Sequence, residues 1–167
     1  MFGTYFYHER IRKSVALFGA MFNNIYVLRK NSSGGVINTM KVPLAYGPKQ
    51  KFLERINEVP DLVNDSKVAI KLPRMSFEIV GISYDISRQL QKNNAFSQVG
   101  TTTLNRNKIN IYVPYIINFQ LSIYAKNQDD ALQVVEQIFP FFTPQYTLTI
   151  KPLSDHPDLK EDVPISL

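Results

Sequence analysis

Between Ile117 and Lys126 the chain alternates without interruption. Ile117, Phe119, Leu121, Ile123 and Ala125 fall on one side, and Asn118, Gln120, Ser122, Tyr124 and Lys126 on the other. A period of two places these sets on opposite faces of a strand, one buried and one wet or only partly covered. The run Asn127-Gln-Asp-Asp then stops the strand and opens a helix, with Asn127 in the capping position. Asp129 and Asp130 follow in the first turn, where the helix dipole favours negative charge. The period becomes helical at once. Ala131, Val134, Val135 and Ile138 form one stripe, with Gln133, Glu136 and Gln137 opposite. Pro140 disfavours helical geometry at Phe139 and so ends the helix nearby. Residues 109–142 therefore predict a strand, a tight corner and a helix folding back onto the sheet.

The same reading extends to both sides. Ile11, Val15, Phe18 and Phe22 recur at helical spacing and predict a helix over about 9–22, widened by Leu17 and Met21. Ile25–Lys30 and Val36–Val42 read as two strands joined by Asn-Ser-Ser-Gly-Gly, a hairpin whose diglycine supplies positive φ. Pro43 and Pro48 bracket an extended connection, and Lys49–Ile56 has a short helical pattern with Phe52, Leu53 and Ile56 inward. A polar linker over 59–66 leads into a strand at 68–72, which Pro73 interrupts. Met75, Phe77 and Ile79 resume the alternation, and Gly81 shifts its phase to Ile82 and Tyr84, suggesting a bulge or a close backbone approach. Tyr146–Lys151 predicts a last full strand, and the alternation of Val163, Ile165 and Leu167 is cut short by the chain end.

From Ile86 to Asn110 the pattern dissolves into Ser, Thr, Gln and Asn, and Arg88, Lys92, Arg106 and Lys108 meet no acidic residue inside the segment. Loops longer than roughly 12–15 residues are uncommon in compact domains and tend to be functional or disordered. This basic loop is the first candidate for a partner-binding element. The second is the start of the first helix, where Arg10, Arg12 and Lys13 occupy a turn that the dipole makes unfavourable for cations. Either water solvates that end, or an acidic partner offsets the placement.

Composition narrows the chemistry. With 167 residues, 44% apolar and 12% aromatic, the chain suits a single domain spanning 1–167, with the basic loop at 86–110 and a polar C-terminal arm at 152–167. The absence of cysteine excludes disulfides, thiolate metal sites and cysteine nucleophiles, and fits assembly in a reducing cytoplasm. A net charge of +5 is spread along the chain. No apolar run approaches the ~20 residues of a membrane span, and the charges of the N-terminus follow its aromatic cluster, the reverse of a signal peptide. His8 and His156 are far apart in sequence and outside any zinc-ligand spacing, and the acids at 129–130 are explained by the helix start. No nucleophile-elbow, phosphate-loop or dinucleotide motif occurs. No enzyme, metal, cofactor or small-molecule substrate is expected. A nucleic-acid-binding module is an alternative, because aromatics accompanied by basic residues can stack on single strands. Most of these aromatics fall on core-facing phases, however, and the basic residues are not gathered on one predicted element, so direct DNA contact is not expected.

Four blocks carry a resemblance: MFGTYFYHERIRKSVALFGAMFNNI, KVPLAYGPKQKFLERI, LPRMSFEIVGISYD and PYIINFQLSIYAKNQDDALQVVEQIFPFFTPQYTLTI. Together they resemble the tail sheath stabiliser, or tail completion, family of T-even-like contractile-tailed bacteriophages. The last block is the most specific, because the strand, the double Asp and the VEQI-Pro-Phe-Phe ending occur together. The resemblance implies a structural virion protein forming a hexameric ring at the head-proximal end of the tail and assembled in the host cytoplasm. Its implied partners are the tail sheath protein, the tail tube terminator and the head-neck proteins. It also implies an α/β (α+β type) fold related to tail terminators: a mixed, largely antiparallel sheet flanked by at least two amphipathic helices. A tube terminator, bound to the inner tube instead of the sheath, is the alternative within that class. Members usually continue well beyond the position of Leu167, so this sequence is either a short member or lacks part of the sheet.

Overall fold

The computed structural model describes residues 5, 7–57, 71–91, 95–99, 106–110, 112–151 and 160–167. In chain order the elements are α1 (Arg10–Phe22), β1 (Tyr26–Lys30), β2 (Val36–Lys41), β3 (Leu44–Tyr46), α2 (Lys49–Asn57), β4 (Arg74–Tyr84), β5 (Ala95–Val99), β6 (Arg106–Asn110), β7 (Tyr115–Tyr124), α3 (Gln128–Ile138), β8 (Gln145–Ile150) and β9 (Glu161–Ser166). They group into two compact units, Met1–Phe77 with Leu121–Leu167, and Glu78–Gln120. The linker expected at 59–66 and the start of the strand expected at 68–72 lie outside the described residues.

A three-stranded mixed sheet has the order β3-β4-β7. β3 runs parallel to β4, with Leu44 opposite Met75 and Tyr46 opposite Phe77. β7 runs against β4, since Ser76 lies by Tyr124 while Tyr84 lies by Tyr115. Three antiparallel pairs, β1-β2, β5-β6 and β8-β9, complete the strands. The expected combination of mixed and antiparallel strands with amphipathic helices is what the chain adopts.

In the first unit the core gathers Phe22, Ile25, Val27, Val42, Met75, Val134 and Ile138, with Phe18, Met21, Leu44, Leu121, Ile123 and Phe142 packed against it. The helical stripes of α1 and α3 and the inward phase of β4 and β7 thus meet in one place, as their periods require. Each fully buried aliphatic or aromatic side chain contributes on the order of 1.5–3 kcal/mol. Phe18 lies 5.1 Å from the Phe77 ring and 4.8 Å from Phe22. A Cβ at Gly19 would meet Phe77 at 3.3 Å, so α1 crosses close to β4.

The polar face of β7 is exposed at Asn118 and Gln120 and partly covered at Ser122, as its alternation predicts, but Tyr124 is buried. Tyr124 is 8% exposed and Ser76 1%. Their hydroxyl oxygens are 2.8 Å apart, and the Tyr124 hydroxyl also donates to the Lys49 carbonyl at 3.4 Å. α2 covers this region: Phe52 lies 5.8 Å from the Tyr124 ring, and Arg74 stands over Phe52 at 5.8 Å. Buried Gly47 makes room for that helix, because a Cβ there would meet Phe52 at 3.1 Å. Tyrosine at the end of a polar phase is therefore a core residue with a satisfied hydroxyl.

Two of the less regular segments are ordered as strands. Within 86–110, a 3-10 turn at Ile86–Arg88 is followed by the β5-β6 pair, with Ala95 opposite Asn110 and Val99 opposite Arg106. At the C-terminal end, β9 pairs with β8 from Gln145 opposite Ser166 to Ile150 opposite Glu161. In the β1-β2 turn, Gly34 has φ 82 and provides the left-handed residue expected of the diglycine. A Cβ at Gly81 would find Asn118 Nδ2 at an ordinary 3.7 Å, so no close approach demands glycine there.

Candidate functional site

The basic residues singled out in the sequence are distributed over both units. In the first, Arg10 and Arg12 begin α1, and Glu9 occupies the capping position with a left-handed φ of 53 and no side-chain cap. Glu9 pairs instead with Arg12 at 3.2 Å. Arg10 reaches Glu161 of β9 at 3.4 Å. Half-buried Lys13 donates its amide to the Glu9 carbonyl at 2.8 Å. Intramolecular acids thus meet the charge that the dipole leaves unfavourable at this end.

In the second unit, Arg88 closes the 3-10 turn and pairs with Asp85 at 3.2 Å. That acid stands one residue before the segment in which Arg88 has no acidic neighbour. Asp85 is buried, and its carboxylate accepts from both the amide and the hydroxyl of Ser87. The Ser87 hydroxyl bond is the main influence holding the Asp85 carboxyl below its ordinary pKa, against the effect of burial and with the help of Arg88. The Asp85 amide donates to the Pro114 carbonyl at 3.1 Å, tying the turn to the start of β7. Arg106 and Lys108 lie on β6, opposite Val99 and Ser97, and Lys92 is outside the described residues.

Asp129 and Asp130 have separate tasks. Asp130 is 3% exposed and accepts from Arg29 of β1 at 2.9 Å, joining α3 to the hairpin. Asp129 accepts from Gln133 at 3.0 Å. Asn127 holds the capping position in extended geometry, without a side-chain capping bond. Among the described residues no cluster of three or more His, Cys, Asp or Glu is arranged to hold a metal ion, and no helix is long and apolar enough to cross a membrane. Exposed apolar side chains are more prominent than charged recesses. Phe139 and Phe141 project from the 3-10 turn after α3, and Tyr112, Val113, Tyr115 and Ile116 from the entry to β7. Surface aromatics of this kind mark contact surfaces more often than chemistry.

Comparison with known proteins agrees with a contact protein. The T4-like virus Myoviridae tail sheath stabiliser family matches residues 5–167. The chain belongs to that family. A curated relative, the tail completion protein gp15 of Enterobacteria phage T4, is 32% identical over 156 residues, covering 90% of this chain and 55% of the relative. The chain thus spans about half the length of that relative.

Proposed function

We propose that the protein forms a ring, most simply a hexamer, at the head-proximal end of a contractile tail. There it stabilises the sheath and the end of the tube and joins the tail to the neck of the head. The observation that carries this reading is the family match along residues 5–167, together with the relation to a tail completion protein. Its action is mechanical. Subunits would meet through exposed apolar positions such as Phe139, Phe141 and Tyr115. An extended arm of a sheath subunit would add to an open strand edge, where unpaired backbone groups are ready templates. The basic residues Arg10, Arg12, Lys13, Arg88, Lys92, Arg106 and Lys108 are the proposed contacts for acidic surfaces of sheath, tube-terminator or neck partners. Of these, Arg10, Arg12 and Arg88 also make ion pairs within the chain.

The test is imaging of tails assembled with and without the protein, combined with the mass of the tail-bound species. A ring outside the tube and against the last sheath layer is expected. Density confined to the tube end would make the protein a tube terminator. A strict monomer that never forms rings on tails would end the proposal.

A further inference from the structure

The outer edge of β1 is occupied by side chains of α3. In the β1-β2 hairpin the Val42 amide donates to the Ile25 carbonyl at 2.9 Å, which fixes the alternation of the ladder. Val27 and Arg29, opposite Met40 and Asn38, turn their backbone groups toward β2, while Tyr26 and Leu28 turn theirs outward. Such an edge is the part of a sheet most prone to pair with another chain. Here the Leu28 amide donates to Gln133 Oε1 at 3.0 Å, and Gln133 Nε2 donates back to the Leu28 carbonyl at 3.2 Å. One helical turn away, the Tyr26 amide donates to Gln137 Oε1 at 3.4 Å and Gln137 Nε2 to the Tyr26 carbonyl at 2.7 Å. Each glutamine amide therefore reproduces the donor and acceptor of a strand residue.

The fit follows from two periods. Outward residues recur along a strand edge every ~6.7 Å, and residues four apart along a helix every ~6 Å. A helix lying against the edge in the opposite direction can follow it with glutamines at i and i+4, here Gln137 on Tyr26 and Gln133 on Leu28. The second N–H of each amide is also used. Gln133 Nε2 donates to Asp129 Oδ2 at 3.0 Å, and Gln137 Nε2 to the Gln133 carbonyl at 2.9 Å. The Arg29–Asp130 pair holds the next turn in register. The shallow recess between Tyr26, Leu28, Gln133, Glu136 and Gln137 opens to solvent, so the amides are what an approaching strand would meet.

We propose that Gln133 and Gln137 act as a strand surrogate that closes the outer edge of β1 against strand addition. An incoming strand gains backbone bonds to Tyr26 and Leu28 only by breaking as many to the glutamines, and it frees two braced amides besides. Within the tail reading, an arm donated by another subunit must use a different edge; the closure itself does not depend on that reading.

The full chain tests this with Gln133→Ala/Gln137→Ala and with Gln133→Asn/Gln137→Asn, which keeps the amides but shortens their reach. In the unaltered protein, hydrogen exchange should show the Tyr26 and Leu28 amides protected alongside Val27 and Arg29; free exchange at Tyr26 and Leu28 would overturn the proposal. In both variants exchange at Tyr26 and Leu28 should rise roughly tenfold, the equivalent of about one net hydrogen bond, with Val27 and Arg29 little changed. Sedimentation should then show species larger than the unaltered assembly, growing with concentration, and Leu28→Lys added to either variant should suppress them. Unchanged sizes at matched concentrations, or acceleration spread evenly over all amides, would reduce the glutamines to ordinary stabilising contacts.

Discussion

Asp130 shows how one charge can be mistaken for another kind of charge. Its position in the first turn of α3 satisfies the helix dipole, and that alone accounts for an acid there. The fold asks more of it, because its side chain is 4% exposed and bound to an arginine that is 45% exposed. The two partners are therefore unequal. Arg29→Ala leaves a buried carboxylate without its counter-ion and should cost about 2–3 kcal/mol, below the full penalty for a wholly buried pair because solvent reaches one side. Asp130→Ala leaves an arginine that can turn into water and should cost only about 1 kcal/mol. Chemical denaturation of the two variants checks the ordering, and equal losses would mean that solvent screens both groups alike. None of this is legible in the sequence, since Arg29 and Asp130 are far apart along the chain and meet only after the hairpin packs on α3. Gln133 and Gln137 were hidden in the same way: on a helical wheel they belong to the polar face, and the polarity they answer is that of another element's backbone.

At the scale of elements, the strongly periodic segments were the readable ones. α1, the β1-β2 hairpin, β7 and α3 occur where their patterns place them; in α1, β7 and α3 the pattern reports a face at least partly buried, whereas the hairpin buries only Val27 and is announced by its turn. β3 was missed for a physical reason. It is a short parallel strand, Leu44–Tyr46, held between prolines by β4, and its pairing comes from a neighbour instead of its own alternation. The β5-β6 pair lies in a polar stretch whose sequence offers no sustained alternation to read. α2 was legible as a helix, but its target was not. Its Phe52 and the Lys49 carbonyl close over Tyr124, and Tyr124 in turn engages Ser76 of β4. The joint between α2, β4 and β7 can be measured by a double-mutant cycle. Tyr124→Phe strands the buried Ser76 hydroxyl and should cost about 1–3 kcal/mol; Ser76→Ala, which leaves Tyr124 its bond to Lys49, should cost about 1 kcal/mol. The double variant should lose less than the sum, by on the order of 1 kcal/mol, whereas strict additivity would mean that the hydroxyls do not interact.

For the whole molecule, the question is what its net charge of +5 serves. The resemblance carried by long blocks identified the class of protein, because strand, corner and helix recur there as a set, whereas single residues at surfaces carry no comparable signal. The fold ties some of the basic positions to acids of the same chain. Arg10, Arg12 and Arg88 are tied to Glu161, Glu9 and Asp85, so their removal disturbs local structure as well as any partner. Lys92, Arg106 and Lys108 carry the test of the proposed partner contacts. Replacing all of them with glutamine should weaken attachment to assembled tails by roughly tenfold in moderate salt, as expected when several charges facing an opposite surface are lost. Binding to duplex and single-stranded DNA, measured over a salt series, distinguishes the partner. A protein surface as the target predicts weak DNA binding that these substitutions leave nearly unchanged. A nucleic-acid target predicts affinity that falls steeply with salt, with a slope reduced by about one for each phosphate contact removed. Attachment lost without that change in slope would assign the charges to the tail. A reduced slope would reassign them to nucleic acid.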